Sequence, residues 1–178
     1  MVKKILITGS AGFIGFALSK SLLDDGYYVH GYDGMTDYYD VNLKHERNKI
    51  LKKYKKFTFT RGKLENKEVL EKIAKKFKPE IILHLAAQAG VRYSIEKPRV
   101  YLNSNIVGTF NIIELANKLK VKHLLIASSS SVYGANKKIP YSEIDETQTQ
   151  LSIYASTKKA TESIAHAYSN LWKLPITM

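Results

Sequence analysis

The chain has 178 residues, 44% of them apolar and 11% aromatic, enough to bury the core of one ordinary α/β domain without disulfides or metal. It has no cysteine, which excludes a disulfide framework, a thiolate metal site and a cysteine nucleophile and agrees with a reducing, cytoplasmic setting. The formal net charge is +12, and between Lys44 and Lys78 fourteen Lys or Arg stand against four Glu, a local surplus of ten. No aromatic stacking pattern or nucleic-acid motif accompanies that run, so it reads as solvated lysine on helix faces, with no nucleic-acid partner, in a field that favours an anionic small substrate.

In chain order, Lys3 and Lys4 precede only Ile5-Leu6-Ile7-Thr8 before Gly9, too short for a signal-peptide core or a membrane span, and no membrane partner is expected. Short apolar runs predict strands over residues 4–8, 28–33, 57–61, 81–85 and 123–128. Longer periodic stretches predict helices over 13–25, 41–54, 67–77, 99–119 and 152–172. Five βα units in series imply an α/β fold, a doubly wound parallel sheet in three αβα layers, with ligands at the carboxyl ends of the strands. The closing Leu174-Pro175-Ile176-Thr177-Met178 looks like a sixth strand just beginning. Residues 1–178 are therefore expected to be one domain, cut at the start of that strand.

The helix over 99–119 is apolar on more than one side, through Val100, Leu102, Ile106, Val107, Phe110, Ile112, Ile113 and Leu115. One face is expected to cover the sheet. The other, together with the helix over 152–172, is expected either to pair with a second copy in a homodimer or to be covered by further chain.

Three motifs carry chemistry. The first is Gly9-Ser10-Ala11-Gly12-Phe13-Ile14-Gly15, set between a predicted strand and a predicted helix. Its glycines allow a tight turn, close approach of backbone to a pyrophosphate and close helix–strand packing, and the helix N-terminus offers amides to the phosphates. Asp33 ends the second strand 18 residues past Gly15, where a carboxylate accepts hydrogen bonds from the adenosine ribose and repels a 2′-phosphate, favouring NAD over NADP. Asp33 also precedes Gly34, so a turn-forming role stands beside the binding one.

The second motif is Ala127-Ser128-Ser129-Ser130-Ser131 at the carboxyl end of the fifth strand, where hydroxyls can bond a substrate and relay its proton. The third is Tyr154-Ala155-Ser156-Thr157-Lys158 at the start of the next helix. Tyr154 and Lys158, four residues apart, share one helix face, and a cation one turn away favours the phenolate form, which suits the tyrosine to act as a base. His30, His45, His84, His123 and His166 form no ligand spacing, so no metal is expected; His84 in the fourth strand reads as a hydrogen-bonded core residue.

The whole chain resembles the cofactor domain of the extended short-chain dehydrogenase/reductases, in their NAD-dependent nucleotide-sugar epimerase/dehydratase group. The stretches Asp37-Tyr38-Tyr39-Asp40, His84-Leu85-Ala86-Ala87-Gln88-Ala89-Gly90-Val91-Arg92-Tyr93-Ser94 and Ser128-Ser129-Ser130-Ser131-Val132-Tyr133-Gly134 are most similar to UDP-glucuronate 4-epimerases. The resemblance implies a Rossmann-type fold and NAD as cofactor, held by Gly9, Gly12, Phe13, Ile14, Gly15, Asp33, Leu85, Ala86, Ala87, Tyr154 and Lys158. It implies Ser129, Tyr154 and Lys158 as catalytic residues, and Gln88, Arg92, Ser129, Ser130 and Ser131 as contacts to a UDP-sugar. It also places Asn105 behind the active site and suggests a part in polysaccharide biosynthesis.

The mechanism so implied is transient oxidation at C4 of a UDP-hexuronic acid, Tyr154 taking the O4 proton with Ser129 bridging, and return of the hydride to the opposite face of the 4-keto sugar. A 4,6-dehydratase would need an acid and a base where this chain has Ser130-Ser131. A UDP-glucuronate decarboxylase stays open, because residues governing carboxylate loss are expected outside this stretch, as does an NAD-binding module inactive as a fragment. Two departures from the family stand out. Gly62-Lys63 replaces the usual Gly-Asp after the third strand, so the family's carboxylate contact to adenine is expected to be missing, and the substrate domain that follows in family members is not in these 178 residues.

Overall fold

A computed structural model describes residues 3–178. Six parallel strands, β1 (Lys4–Thr8), β2 (Tyr28–Asp33), β3 (Phe57–Arg61), β4 (Ile81–His84), β5 (His123–Ile126) and β6 (Ile176–Thr177), lie in the order β3-β2-β1-β4-β5-β6. The order reverses at β1, so a crevice opens between the carboxyl ends of β1 and β4. The stretch expected to begin a sixth strand is β6, paired through Leu124↔Ile176 and Leu125↔Thr177.

Alternation along β1 builds the two cores. Ile5 and Ile7 join Leu23, Val29, Leu51 and Phe57 on one face of the sheet, under α1 (Phe13–Asp24) and α2 (Val41–Leu51). Leu6 points the other way, into the larger cluster with Leu70, Ile73, Ile82, Ile112, Ile113, Leu124 and Ala165 under α3 (Lys67–Phe77), α6 (Gly108–Leu119) and α7 (Ile153–Trp172). Each fully buried Leu or Ile of these clusters contributes about 1.5–3 kcal/mol by leaving water.

Polar side chains set the helix starts. Asp40 accepts from the Asn42 amide at 2.9 Å, Asn66 from Val69 at 3.1 Å and Ser152 from Ala155 at 3.0 Å. The second helix ends at Leu51 rather than at residue 54, because Lys53 and Tyr54 turn back in bonds to Ile50 and Leu51 to reach β3. The fourth and fifth strands stop at His84 and Ile126, earlier than expected, and the residues beyond them leave the sheet for the crevice.

The helix expected over 99–119 begins one residue sooner, with Pro98 in its first turn, and is not uniformly α. A first α turn, α5 (Pro98–Tyr101), passes into a π-helical segment, Leu102–Val107, and then into α6. Its sheet-facing residues, including Tyr101, Ile112 and Ile113, are buried, while Leu102, Val107 and Phe110 stay exposed, as do Leu171 and Trp172 of α7. A short helix that the periodicity does not predict, α4 (Tyr93–Glu96), follows the β4 loop.

His84 is the hydrogen-bonded core residue expected. Its Nδ1 lies 2.7 Å from Thr8 Oγ1 and its Nε2 2.9 Å from Thr109 Oγ1, which ties β1, β4 and α6 together. Burial pushes its pKa down to about 3, and burial also lowers His30, which bridges Thr58 and Thr60, to about 4. Between those values and about 6.5 the unfolded chain binds more protons than the folded one, so stability falls as pH falls through that window. Urea titration should show a loss of about 2 kcal/mol per histidine between pH 7 and pH 5. His30→Gln, which cannot titrate, should remove about half of it, and a pH-independent midpoint would contradict the reading.

Candidate active site

The adenosine end of the crevice is shaped by backbone. Gly9 leaves β1 at φ +75, and a Cβ there would come within 2.8 Å of the Ala86 amide nitrogen, so only glycine fits. The Gly12 amide bonds the Gly9 carbonyl at 2.9 Å, and Gly12 caps α1 without any side-chain hydrogen bond, so no side chain competes for the first-turn amides. Any Cβ on Gly15 would collide with the Gly9 carbonyl, which sets how closely α1 sits on the loop. Phe13 and Ile14, in that first turn, are exposed at the mouth. This cradle, open to backbone donors and filled by no side chain, fits the pyrophosphate of a dinucleotide.

Asp33 forms the turn its sequence position allows and ties that turn to the glycine loop. Its Oδ1 accepts from the Met35 amide at 2.8 Å, a turn-forming bond, and its Oδ2 accepts from Ala11 in the glycine loop at 3.1 Å. Lys44, buried on α2, brings its Nζ to 3.9 Å from Asp33 Oδ1 and donates to Thr36 Oγ1 at 3.1 Å, with the Tyr39 ring 4.9 Å away. Lys63, in the place of the family's carboxylate, lines the same cleft, and its carbonyl accepts from Tyr32 Oη at 2.8 Å. Glu65, two residues on, lines the cleft as well and offers a carboxylate there.

At the other end, Asn105 in the π-helical segment clamps the β4 loop. Its Oδ1 accepts from the Gln88 amide at 2.8 Å, and its Nδ2 donates to the Gln88 carbonyl at 3.0 Å and to Thr157 Oγ1 of α7 at 3.1 Å. Two bonds register α7 against the end of β5. Lys158 Nζ donates to the Ala127 carbonyl at 2.8 Å, and Ser128 Oγ donates to Glu162 Oε1 at 2.6 Å. Ser129 comes next and caps a 3₁₀ turn, Ser130–Tyr133, its Oγ accepting from the Ser131 amide. Tyr154 opens α7 one turn before Lys158, its ring edge-on to Tyr101 with centroids 6.1 Å apart. Burial pushes the Lys158 pKa down to about 8, so it gives up a proton far more readily than a surface lysine.

Gly9, Gly12, Asp33, Leu85, Ala86, Ala87 and Gln88 thus line one cleft along the carboxyl edge of the sheet, closed on the helix side by Val100 and Ser104. Ser130 and Ser131 line a neighbouring recess with Val91, Tyr141, Leu151 and Ala155. Arg92 is exposed at the start of α4 and lines neither. The sequence reading missed Thr36, Tyr39, Lys44 and Glu65. The signal for Lys44 was present but diluted, as one lysine in a lysine-rich run placed four residues after the Asp40 cap. Among the described residues no three His, Asp or Glu could hold a metal ion.

Residues 6–178 match the family model described as GDP-mannose 4,6 dehydratase. A probable UDP-glucuronate 4-epimerase of Rhizobium meliloti is 50% identical over 174 residues, 98% of this chain and 51% of that protein. Protein CapI of Staphylococcus aureus is 53% identical over 174 residues, again 98% of this chain and 52% of the relative. The chain spans about half the length of these curated relatives. The crystal structure of UDP-glucuronic acid 4-epimerase from Bacillus cereus, in complex with UDP-glucuronic acid and NAD, superposes with a TM-score of 0.87 at 32% identity, over 98% of this chain and 55% of that one. The glycine cradle, Asp33 and the Ser-Tyr-Lys constellation are thus accompanied by a match over almost the whole length, and the chain belongs to the GDP-mannose 4,6 dehydratase family, among the extended short-chain dehydrogenase/reductases that include nucleotide-sugar epimerases.

Proposed function

We propose that this chain forms the NAD site and the catalytic side chains of a nucleotide-sugar 4-epimerase that interconverts UDP-glucuronate and UDP-galacturonate. The observation that carries the proposal is the gathering, at the carboxyl end of β5, of Ser129, Tyr154 and Lys158 beside a cleft lined by the glycine loop and Asp33. The name of its 50% identical Rhizobium meliloti relative and the Bacillus cereus complex support the substrate. When bound, NAD would supply a reversible hydride acceptor. The glycine loop and the α1 amides would hold the pyrophosphate, and Asp33 would accept from the adenosine ribose. Lys158, one of whose N–H groups donates to the Ala127 carbonyl, would offer the others to the nicotinamide ribose.

Tyr154 takes the proton from the sugar O4 hydroxyl through or beside Ser129 and returns it after the sugar has turned over. Ser130 and Ser131, in the adjoining recess, contact the sugar, with Gln88 and Arg92 on the β4 side. Elimination across C5 and C6, the dehydratase outcome, needs a general acid and base at the sugar, and hydroxyls at positions 130 and 131 do neither well. The exposed apolar side chains of the π-helical segment, α6 and α7 form the homodimer face. None of the described helices is long and apolar enough to cross a membrane.

Calorimetry should show the 178-residue chain binding NAD. Incubation with NAD and UDP-glucuronate should yield UDP-galacturonate far more slowly than a protein of the relatives' length, because positioning of the sugar is worth roughly 7–11 kcal/mol of barrier and the nucleotide end has little to grip. Equal rates would overturn that. In a protein of full length, Tyr154→Phe should keep NAD bound and lose about 10²–10⁴-fold in turnover; near wild-type epimerisation would remove Tyr154 as the base. Sedimentation at micromolar concentration should give a dimer, and a clean monomer would leave the apolar helix face to another partner.

A further inference from the structure

We propose that Lys44 is a 2′-phosphate-reading ammonium that Asp33 holds in check, so that this corner of the cleft chooses between NAD and NADP by a carboxylate and an ammonium together. The proposal rests on the cleft being the dinucleotide site and goes beyond it in naming a second charge that reads the ribose.

Lysine ordinarily runs its stem along the surface and keeps its ammonium in water. Lys44 does not: it is 6% exposed, and its ammonium faces the cleft beside Asp33, Thr36 and Tyr39. Burying an ammonium is costly unless it is well paired. The pairing here is loose, at 3.9 Å from Asp33 Oδ1, and one of the three N–H donors is directed to Thr36 Oγ1 at 3.1 Å.

Orientation of Asp33 does not explain Lys44. Amides from Ala11 and Met35 already hold both carboxylate oxygens at 3.1 and 2.8 Å. The ammonium therefore adds a positive charge to the cleft wall beside Asp33, the carboxylate expected to bond the adenosine ribose. A 2′-phosphate carries about −1.5 to −2 charges, so it is repelled by Asp33 and attracted by Lys44. With both present, NAD is preferred, since its ribose hydroxyl donates to the carboxylate. With the carboxylate neutralised, the ammonium loses its ion-pair partner, and an entering phosphate can take that place.

The test is a double-variant cycle on this chain, with dissociation constants for NAD and NADP from calorimetry and a melting curve for each variant. Asp33→Asn should tighten NADP by about tenfold or more and weaken NAD a few-fold. Adding Lys44→Gln should abolish that gain, and Lys44→Arg, which keeps the charge, should preserve it. Lys44→Gln alone should weaken NADP more than NAD, widening the gap about tenfold. A purely structural lysine would shift both cofactors equally, and that result overturns the proposal. So does a gain in NADP affinity that survives in the double variant, which would pass the role to Lys63. Should Lys44→Gln melt below the assay temperature, the Asp33→Asn against Asp33→Asn/Lys44→Arg comparison still decides, because unchanged NADP affinity in Asp33→Asn alone sinks the idea. If the wild-type chain binds neither cofactor, the reading of the cleft falls and this proposal with it.

Discussion

The side chain of Asn105 holds together the parts on which the active site depends. It satisfies both backbone groups of Gln88 and donates to Thr157, joining the β4 loop, the long helix and the first turn of α7 through one buried amide. Each buried partner left unsatisfied costs about 1–3 kcal/mol, so the three elements are not free to drift apart. The π-helical widening falls on the stretch that carries this residue. Such widenings concentrate at functional sites.

The same helix grips its neighbours a second time. Tyr101, one turn earlier, donates to the Ala89 carbonyl at 2.7 Å and sets its ring edge-on to Tyr154. The phenol proposed as base is thus buttressed by a residue that also holds the loop lining the cofactor cleft. Further along the same face of α7, Lys158 and Glu162 fix Ala127 and Ser128, so the serine that follows is set relative to Tyr154 by hydrogen bonds and not by packing alone. Removing Glu162 would leave every proposed catalytic residue in place and still loosen their registration.

How much of this was legible follows from which forces are local. Strand and helix order, the sixth strand, the glycine cradle and the core role of His84 all follow from periodicity, turn chemistry and spacing, which act within a few residues. The π-helical segment was not legible, and the bonds that its Asn105 makes to residues 88 and 157 are long-range contacts that no local pattern encodes. Helix α2 ends at Leu51 for a similar reason, since the reversal into β3 is imposed by the sheet. Asp33 was legible as a turn former, which the bond from the Met35 amide shows, while its second bond, to Ala11 of the glycine loop, joins residues 22 apart and has no local signature. Arg92 shows the reverse limit. The motif names it as a sugar contact, whereas its place in the fold, exposed at the start of α4 and outside both recesses, follows from a short helix that the periodicity does not predict.

Charge is the property that composition describes least well here. A net +12 spread over 28 Lys and Arg suggests a diffuse basic surface, and most of the ion pairs are exposed, where each is worth about 0–1 kcal/mol. Yet among the described lysines only Lys44 and Lys158 are buried, Lys44 on the wall of the cleft and Lys158 bonded at the carboxyl end of β5. Desolvation makes each ammonium interact more strongly with whatever enters than any surface lysine could. A dinucleotide spanning the cleft would meet one buried cation at its adenosine ribose and the other at its nicotinamide ribose. Two buried ammonium groups, placed by α2 and α7 in a lysine-rich chain, therefore bear on the proposed cofactor site more strongly, charge for charge, than the exposed lysines around them.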